Sequence, residues 1–159
     1  MTRLYGRALR GQRVVEKVPH GHWKTTTLIA ALDRQGIRCS TTLDGAVDRD
    51  AFESFVGQVL APSLRPGDLV ILDNLSSHKG PRVGQLIRAV GAEVLYLPPY
   101  SPDLNPIENA FSKIKQALRS LGLRIRDALW NTMQSVLDRV TPSDATGYFR
   151  HCGYATDQK

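Results

Sequence analysis

The chain has 159 residues, 42% hydrophobic and 23% charged, which suits one globular domain with a core of its own. Its net charge of +6 and pI near 9.6 favour a polyanionic partner. The longest fully apolar run, Leu28 to Leu32, is far too short to span a bilayer, and the Arg-rich start lacks the apolar core of a signal peptide. Cys39 and Cys152 stand apart without metal-ligand spacing, which points to reduced thiols in a cytoplasmic protein.

In chain order, Arg3, Arg7, Arg10 and Arg13 surround Tyr5 in a basic opening stretch, suited either to a solvated terminus or to phosphate contact. Arg13 to Val18, with three valines, predicts a strand. A turn carries His20 and His22, which lack the further ligands a metal site needs. Lys24 to Leu32 and Ile37 to Leu43 predict two more strands around a turn at Asp33 to Gly36, completing a three-stranded meander. Asp48 or Asp50 caps a helix whose stripe is Phe52, Phe55, Val56, Val59 and Leu60, and Pro62 to Gly67 ends it.

Leu69 to Leu72 is an apolar run too short for a helix, so it predicts a strand buried on both faces. It delivers Asp73 to its carboxyl end, where open α/β sheets place their chemistry. Pro81 opens a helix with Val83, Leu86, Ile87 and Val90 in phase, and Val94 to Leu97 is another strand. Pro98 to Pro106 is stiff and irregular, because its prolines fix φ and remove donors. Asn105 as cap and Pro106 at the first position open a helix with Glu108 in its first turn. Its buried stripe includes Ile107, Ala110, Phe111, Ile114, Leu118 and Leu121, with Phe111 and Ile114 central. Lys113, Lys115 and Arg119 lie off the stripe, as a solvated face or a track for phosphates. A last helix places Ile125, Leu129, Met133, Val136 and Val140 in the core, so the domain spans 1–140 and 141–159 is a polar, loosely held tail.

Thirty-four residues, 74 to 107, separate Asp73 from Glu108. Two carboxylates from different elements match the oxygen donors that magnesium takes for phosphoryl transfer. They equally match a turn acid and an acid at a helix N-terminus, and spacing alone leaves both readings open. If they form one site, both face one cleft, and acids such as Asp33 and Asp103 lie outside it.

The run Asp73-Asn74, then His78, then Pro98-Pro99-Tyr100-Ser101-Pro102-Asp103-Leu104-Asn105-Pro106-Ile107-Glu108 resembles the DDE transposases. It is most similar to bacterial insertion-sequence relatives of the mariner transposases, over roughly Gly11 to Arg119. The resemblance implies an α/β, ribonuclease H-like mixed sheet flanked by helices. It implies Asp73 and Glu108 as catalytic residues and ligands of Mg2+ or Mn2+, with Asn74 and His78 orienting substrate or the ligand turn. The reaction implied is cleavage and strand transfer on double-stranded DNA, at transposon ends and target. The family's first catalytic Asp sits on a central first strand before a segment like Tyr5-Gly6-Arg7, and no acid precedes Glu16 here. The expectation is therefore a sheet with its first central strand missing and the helix-turn-helix region absent. That suits a decayed copy or the second half of a split reading frame, inactive alone. Glu16, Asp33 and Asp44 lie in the meander or its turns and are poor substitutes for the missing acid. Such a chain works as a homodimer or by pairing with the missing N-terminal part. The alternative is a catalytically dead fragment that binds DNA or pairs with a transposase. Another ribonuclease H-like nuclease is a third reading, disfavoured by the Tyr100–Glu108 motif.

Overall fold

The computed structural model of the protein describes residues 6–15, 25–122 and 126–155. Threonine and branched apolar residues favour extended backbone over Thr26–Asp33 (β1) and Gly36–Asp44 (β2), which pair antiparallel from Thr26↔Asp44 to Asp33↔Gly36. The turn needs its glycine: Gly36 has φ +123°, and a Cβ there would stand 2.5 Å from the Val140 carbonyl oxygen. The third strand of the expected meander is not formed in its described part. Arg13, Val14 and Val15 are exposed and irregular, and 16–18 lie outside the described residues.

Asp48 is the N-cap of α1 (Arg49–Phe55), its Oδ1 accepting from the Ala51 amide at 2.8 Å. The helix widens into a π-helical stretch over Val56–Leu60 and ends in the turn Ala61–Ser63. β3 (Leu69–Leu72), α2 (Pro81–Ala89) and β4 (Glu93–Tyr96) form a βαβ unit, with β3 and β4 paired parallel from Leu69↔Glu93 to Leu72↔Tyr96. α3 (Pro106–Leu121), α4 (Arg126–Leu137) and α5 (Pro142–His151) complete the chain.

Alternation along the strands sorts the side chains into two cores. Ile29 on β1 packs with Phe52, Phe55, Val56 and Leu60 of the α1 run and Val83 and Ile87 of α2, and Val70 and Leu72 of β3 join them. Leu28 and Leu32, on the other side of β1, pack with Ala110, Ile114 and Leu118 of α3 and Met133, Val136 and Leu137 of α4. Helices therefore cover both faces of a central strand layer.

That layer is split. Among the described residues, β1 pairs only with β2 and β3 only with β4, giving two two-stranded sheets. Arg38 on β2 joins them at one end: its Nη1 lies 3.6 Å from Asp33 Oδ2 and 3.1 Å from Asp68 Oδ2. Its Nε and Nη2 both donate to the Ser63 carbonyl, Nε at 2.9 Å. Arg38 thus brings the end of β1 to the start of β3.

The split overturns one expectation. β3 is not buried on both faces; Leu69 is 54% exposed and Val70, Ile71 and Leu72 are half-buried, because nothing pairs with the β3 edge that faces β1. Phe111 is likewise half-buried while Ile114 is 2% exposed. The described residues 141–155 also depart from the polar tail expected of 141–159. Thr141 and Asp144 form a reciprocal capping box, Pro142 opens α5, Ala145 and Cys152 are buried, and Lys113 Nζ on α3 donates to Asp144 Oδ2 at 2.6 Å. The polar residues there are capping and pairing groups, which a reading by hydropathy takes for solvated chain. Both cysteines are free thiols, and burial pushes both thiols up. No described helix is long and apolar enough to cross a membrane.

Two outcomes follow for stability. Ile114→Ala should cost about 2–5 kcal/mol, whereas Phe111→Ala should cost only about 1–2 kcal/mol, below the roughly 3–5 of a fully buried ring. Urea unfolding of both variants checks the order, and the reverse order would put Phe111 in the core. The Asp144 carboxyl is held at about 2, below its ordinary 3.8, first by the Lys113 hydrogen bond and then by Thr141. A depressed carboxyl stabilises the fold fully above the unfolded value and ceases to as pH falls through the folded one. The wild type should therefore lose more stability than Asp144→Asn between pH 4 and pH 2, as read by thermal melts across that range.

Candidate active site

Asp73 leaves the end of β3 into a turn that its own carboxylate organises. Its Oδ1 accepts from the Leu75 amide at 3.2 Å and lies 2.5 Å from His78 Nδ1, while the His78 amide donates to the Leu75 carbonyl at 3.0 Å. The His78 ring stacks on Phe52, centroids 3.9 Å apart and planes 25° apart. Phe52 is 4% exposed in the α1 core. A rigid chain of contacts thus runs from the core to one oxygen of Asp73, and both described contacts fall on Oδ1. Asn74, the next residue, has a buried Oδ1 with no hydrogen-bond partner, a costly state for a carbonyl oxygen.

Glu108 comes from the other side. The loop after β4 runs through exposed Pro98, Pro99 and Tyr100, the last a non-glycine residue at φ 56°. A 3-10 turn, Pro102–Leu104, then leads to Asn105 and Pro106. The Tyr154 hydroxyl, beyond α5, donates to the Leu104 carbonyl at 2.8 Å and pins this approach. Pro106 opens α3 as expected, which sets Glu108 in the first turn where the helix dipole favours an acid. Asn105 departs from expectation. It holds the cap position but makes no side-chain cap bond, and it is buried.

Asp73, His78, Asn105 and Glu108 all line one cavity of about 730 Å³ between β1 and β3. The cavity walls include Thr27 to Asp33, Asp68 to Leu72, Phe52, Phe55, Phe111 and Phe149. Asp33 therefore borders the same cavity, contrary to the expectation that it lies outside. It does so at the far end, where Arg38 holds it, whereas Asp103 is not part of the wall. Among the described residues no cluster of three or more His, Cys, Asp or Glu side chains is grouped to hold a metal ion. Asp44 lies at the end of β2 and is not in the cavity wall; Glu16, His20, His22 and Arg3 lie outside the described residues. Arg7, Arg10 and Arg13 are exposed, as are Lys115 and Arg119, while Lys113 is engaged by Asp144.

The sequence reading missed Phe52 as the support of His78, and Tyr154 and Phe149 as parts of the site's frame. An aromatic at a helix-stripe position signals only burial, so no pattern could mark these roles.

A family model described as DDE superfamily endonuclease matches residues 1–129. The chain belongs to this family. No curated protein sequence matches it. Among solved structures it is similar to the Mos1 mariner paired end complex with Mn, at TM-score 0.72 and 21% identity, over 92% of this chain and 46% of that one. The Mos1 Strand Transfer Complex matches at TM-score 0.71 and 20% identity, over 95% and 46%. The Mos1 transposase catalytic domain with Raltegravir and Mn matches at TM-score 0.66 and 21% identity, over 80% and 68%. The chain thus shares the ribonuclease H-like fold, and it spans less than half of the longer Mos1 chains.

The Phe52–His78–Asp73 arrangement predicts how the turn responds to substitution. His78→Phe keeps the stack and loses the bond to Asp73, so amide hydrogens of Leu75 and His78 should exchange faster while those of α1 stay protected. His78→Ala should speed exchange further. Unchanged exchange in both variants would show that the histidine does not hold the turn.

Proposed function

We propose that this chain is the catalytic portion of a bacterial insertion-sequence transposase, acting in the cytoplasm on double-stranded DNA at element ends and target. The observation that carries the reading is that Asp73 and Glu108, from a strand end and a helix start, border one cavity, in a family of endonucleases. The Mos1 structures with Mn support divalent metal use in this fold.

Asp73 and Glu108 would hold Mg2+ or Mn2+, since their carboxylate oxygens suit hard cations, and a bound ion would supply charge stabilisation for phosphoryl transfer. His78 holds the Asp73 carboxylate through Oδ1, which would leave Oδ2 for a ligand. The unpartnered Oδ1 of Asn74 and the buried Asn105 add polar groups beside the acids for orienting substrate. Exposed Arg7, Arg10, Lys115 and Arg119 offer phosphate contacts that position DNA without reading its sequence. The working form is a homodimer, or a pairing with the N-terminal part of the transposase.

Residues 1–159 alone do not cleave DNA in this reading. Two carboxylates supply too few oxygens to fix two cations against hydration, and a misplaced ion loses most of the positioning that drives phosphoryl transfer. The alternative, a fragment that binds DNA or a transposase without catalysis, draws on the same shortage of ligands.

A magnesium- or manganese-dependent nicking assay on element-end DNA separates them. The 159-residue chain should be silent. A form extended N-terminally by an apolar strand ending in Asp should nick, and Asp73→Ala or Glu108→Ala should abolish that activity. Cleavage by the short chain, lost on Asp73→Ala, would overturn the predicted inactivity. DNA retention without cleavage in the extended form would favour the non-catalytic reading.

A further inference from the structure

The start of α3 lacks the bond that ordinarily fixes a helix entry. Asn105 holds the N-cap position without a side-chain cap bond, and Pro106 has no amide hydrogen to give. The 3-10 turn before it is closed by its own backbone, the Leu104 amide donating to Ser101 at 3.2 Å and the Asn105 amide to Pro102 at 3.1 Å. A bond from outside ties this junction down: the Tyr154 hydroxyl donates to the Leu104 carbonyl at 2.8 Å. Glu108 is the third residue of α3, and its amide donates to the Asn105 carbonyl at 3.1 Å. The backbone that carries its carboxylate therefore continues directly from the residue that Tyr154 holds.

Tyr154 is itself fixed. At the end of α5 its amide donates to the Phe149 carbonyl at 2.9 Å, and the Gly153 amide donates to the Arg150 carbonyl at 3.0 Å. These are the two bonds of a Schellman ending. Gly153 takes φ +85°, the left-handed conformation that such an ending needs and that glycine adopts without strain. The Tyr154 ring then meets Phe149 edge-on, centroids 5.9 Å apart and planes at 77°, and Phe149 belongs to the cavity wall.

α5 is also fastened to α3 on the far side of Glu108. Lys113 Nζ reaches Asp144 Oδ2 in the first turn of α5, and the Asn109 side-chain amide donates to Cys152 Sγ at 3.8 Å. The attachments at Leu104, Asn109 and Lys113 thus bracket Glu108 along the chain.

We propose that Tyr154 is a positioning residue for Glu108, its hydroxyl holding the entry of α3 so that the carboxylate keeps its place in the cavity wall. The inference rests on the reading of Asp73 and Glu108 as a metal site. A junction ordered by the fold needs no ordering when a ligand arrives, so the benefit appears as affinity.

The test uses the full chain and Mn2+ alone, with free Mn2+ read by electron paramagnetic resonance. Tyr154→Phe keeps the ring on Phe149 and removes only the hydroxyl. It should weaken Mn2+ binding by about two- to tenfold, the size of one net hydrogen bond. Amide exchange at Asn105 and Glu108 should quicken while α2 keeps its protection. Glu108→Gln should weaken binding by about tenfold or more, and adding Tyr154→Phe to it should change little further, because the hydroxyl acts through the carboxylate. Far-UV circular dichroism checks folding. Should Tyr154→Phe unfold, Gly153→Ala takes its place; the new Cβ meets no atom within 4 Å but strains the turn, so smaller effects in the same direction are expected. Unchanged Mn2+ affinity in Tyr154→Phe would overturn the proposal. So would an equal further loss on top of Glu108→Gln, which would make the hydroxyl a general stabiliser. Mn2+ binding that ignores both Asp73→Asn and Glu108→Gln would sink the metal reading instead, and exchange at Asn105 and Glu108 would then decide the positioning alone.

Discussion

Arg38 carries the architecture at its weakest point. Among the described residues no strand pairing joins the β1–β2 hairpin to the β3–β4 unit, so their relation depends on helices above and below and on this guanidinium between them. A guanidinium can bond several acceptors in a fixed fork, and Arg38 reaches Asp33, Asp68 and the Ser63 carbonyl at once. A lysine offers a compact point charge and no such fork. At the opposite end the cavity opens to Asp73, His78, Asn105 and Glu108.

Much of the candidate site was legible because its residues sit where local rules dominate. Leu69 to Leu72 could only be a strand, so Asp73 had to follow its end. Pro106 could only be near a helix start, so Glu108 had to lie in the first turn. The residues that escaped depend on contacts between distant segments. Phe111 follows the stripe of its helix, yet its place over an open slot leaves it half-buried. Asn105 has the composition of a cap, yet its side chain makes no cap bond. The last helix is signalled by Thr141, Pro142 and Asp144 together, a start signal that its polar composition masks. Asp33 was placed outside the cleft because it belongs to a turn. The unpaired β1 edge brings it to the cavity wall anyway.

The support of Asp73 illustrates how a core can set the rotamer of a side chain at the mouth of a cavity. Histidine is amphipathic here: one face stacks on buried Phe52 and its Nδ1 reaches the carboxylate. A carboxylate held by one oxygen keeps the other oriented, and loss of side-chain entropy is met during folding instead of at ligand binding. The same turn leaves Asn74 Oδ1 unsatisfied. A buried acceptor without a donor destabilises the apo turn and would be relieved by whatever donor enters the site.

The two acids belong to different halves of the molecule. Asp73 follows β3, whose apolar side chains Val70 and Leu72 join the core of α1 and α2. Glu108 opens α3, whose buried stripe packs with β1, β2 and α4. Their separation is therefore set by the spacing of the two sheets as well as by the proline-rich loop that links β4 to α3. The acids are joined by that loop, an arginine at the far end and helices that pack on either sheet. Catalysis by positioning tolerates little error, with misplacement by about 1 Å costing on the order of a hundredfold. In the proposed reading of these carboxylates as one metal site, their alignment therefore depends on how the two sheets are held against each other.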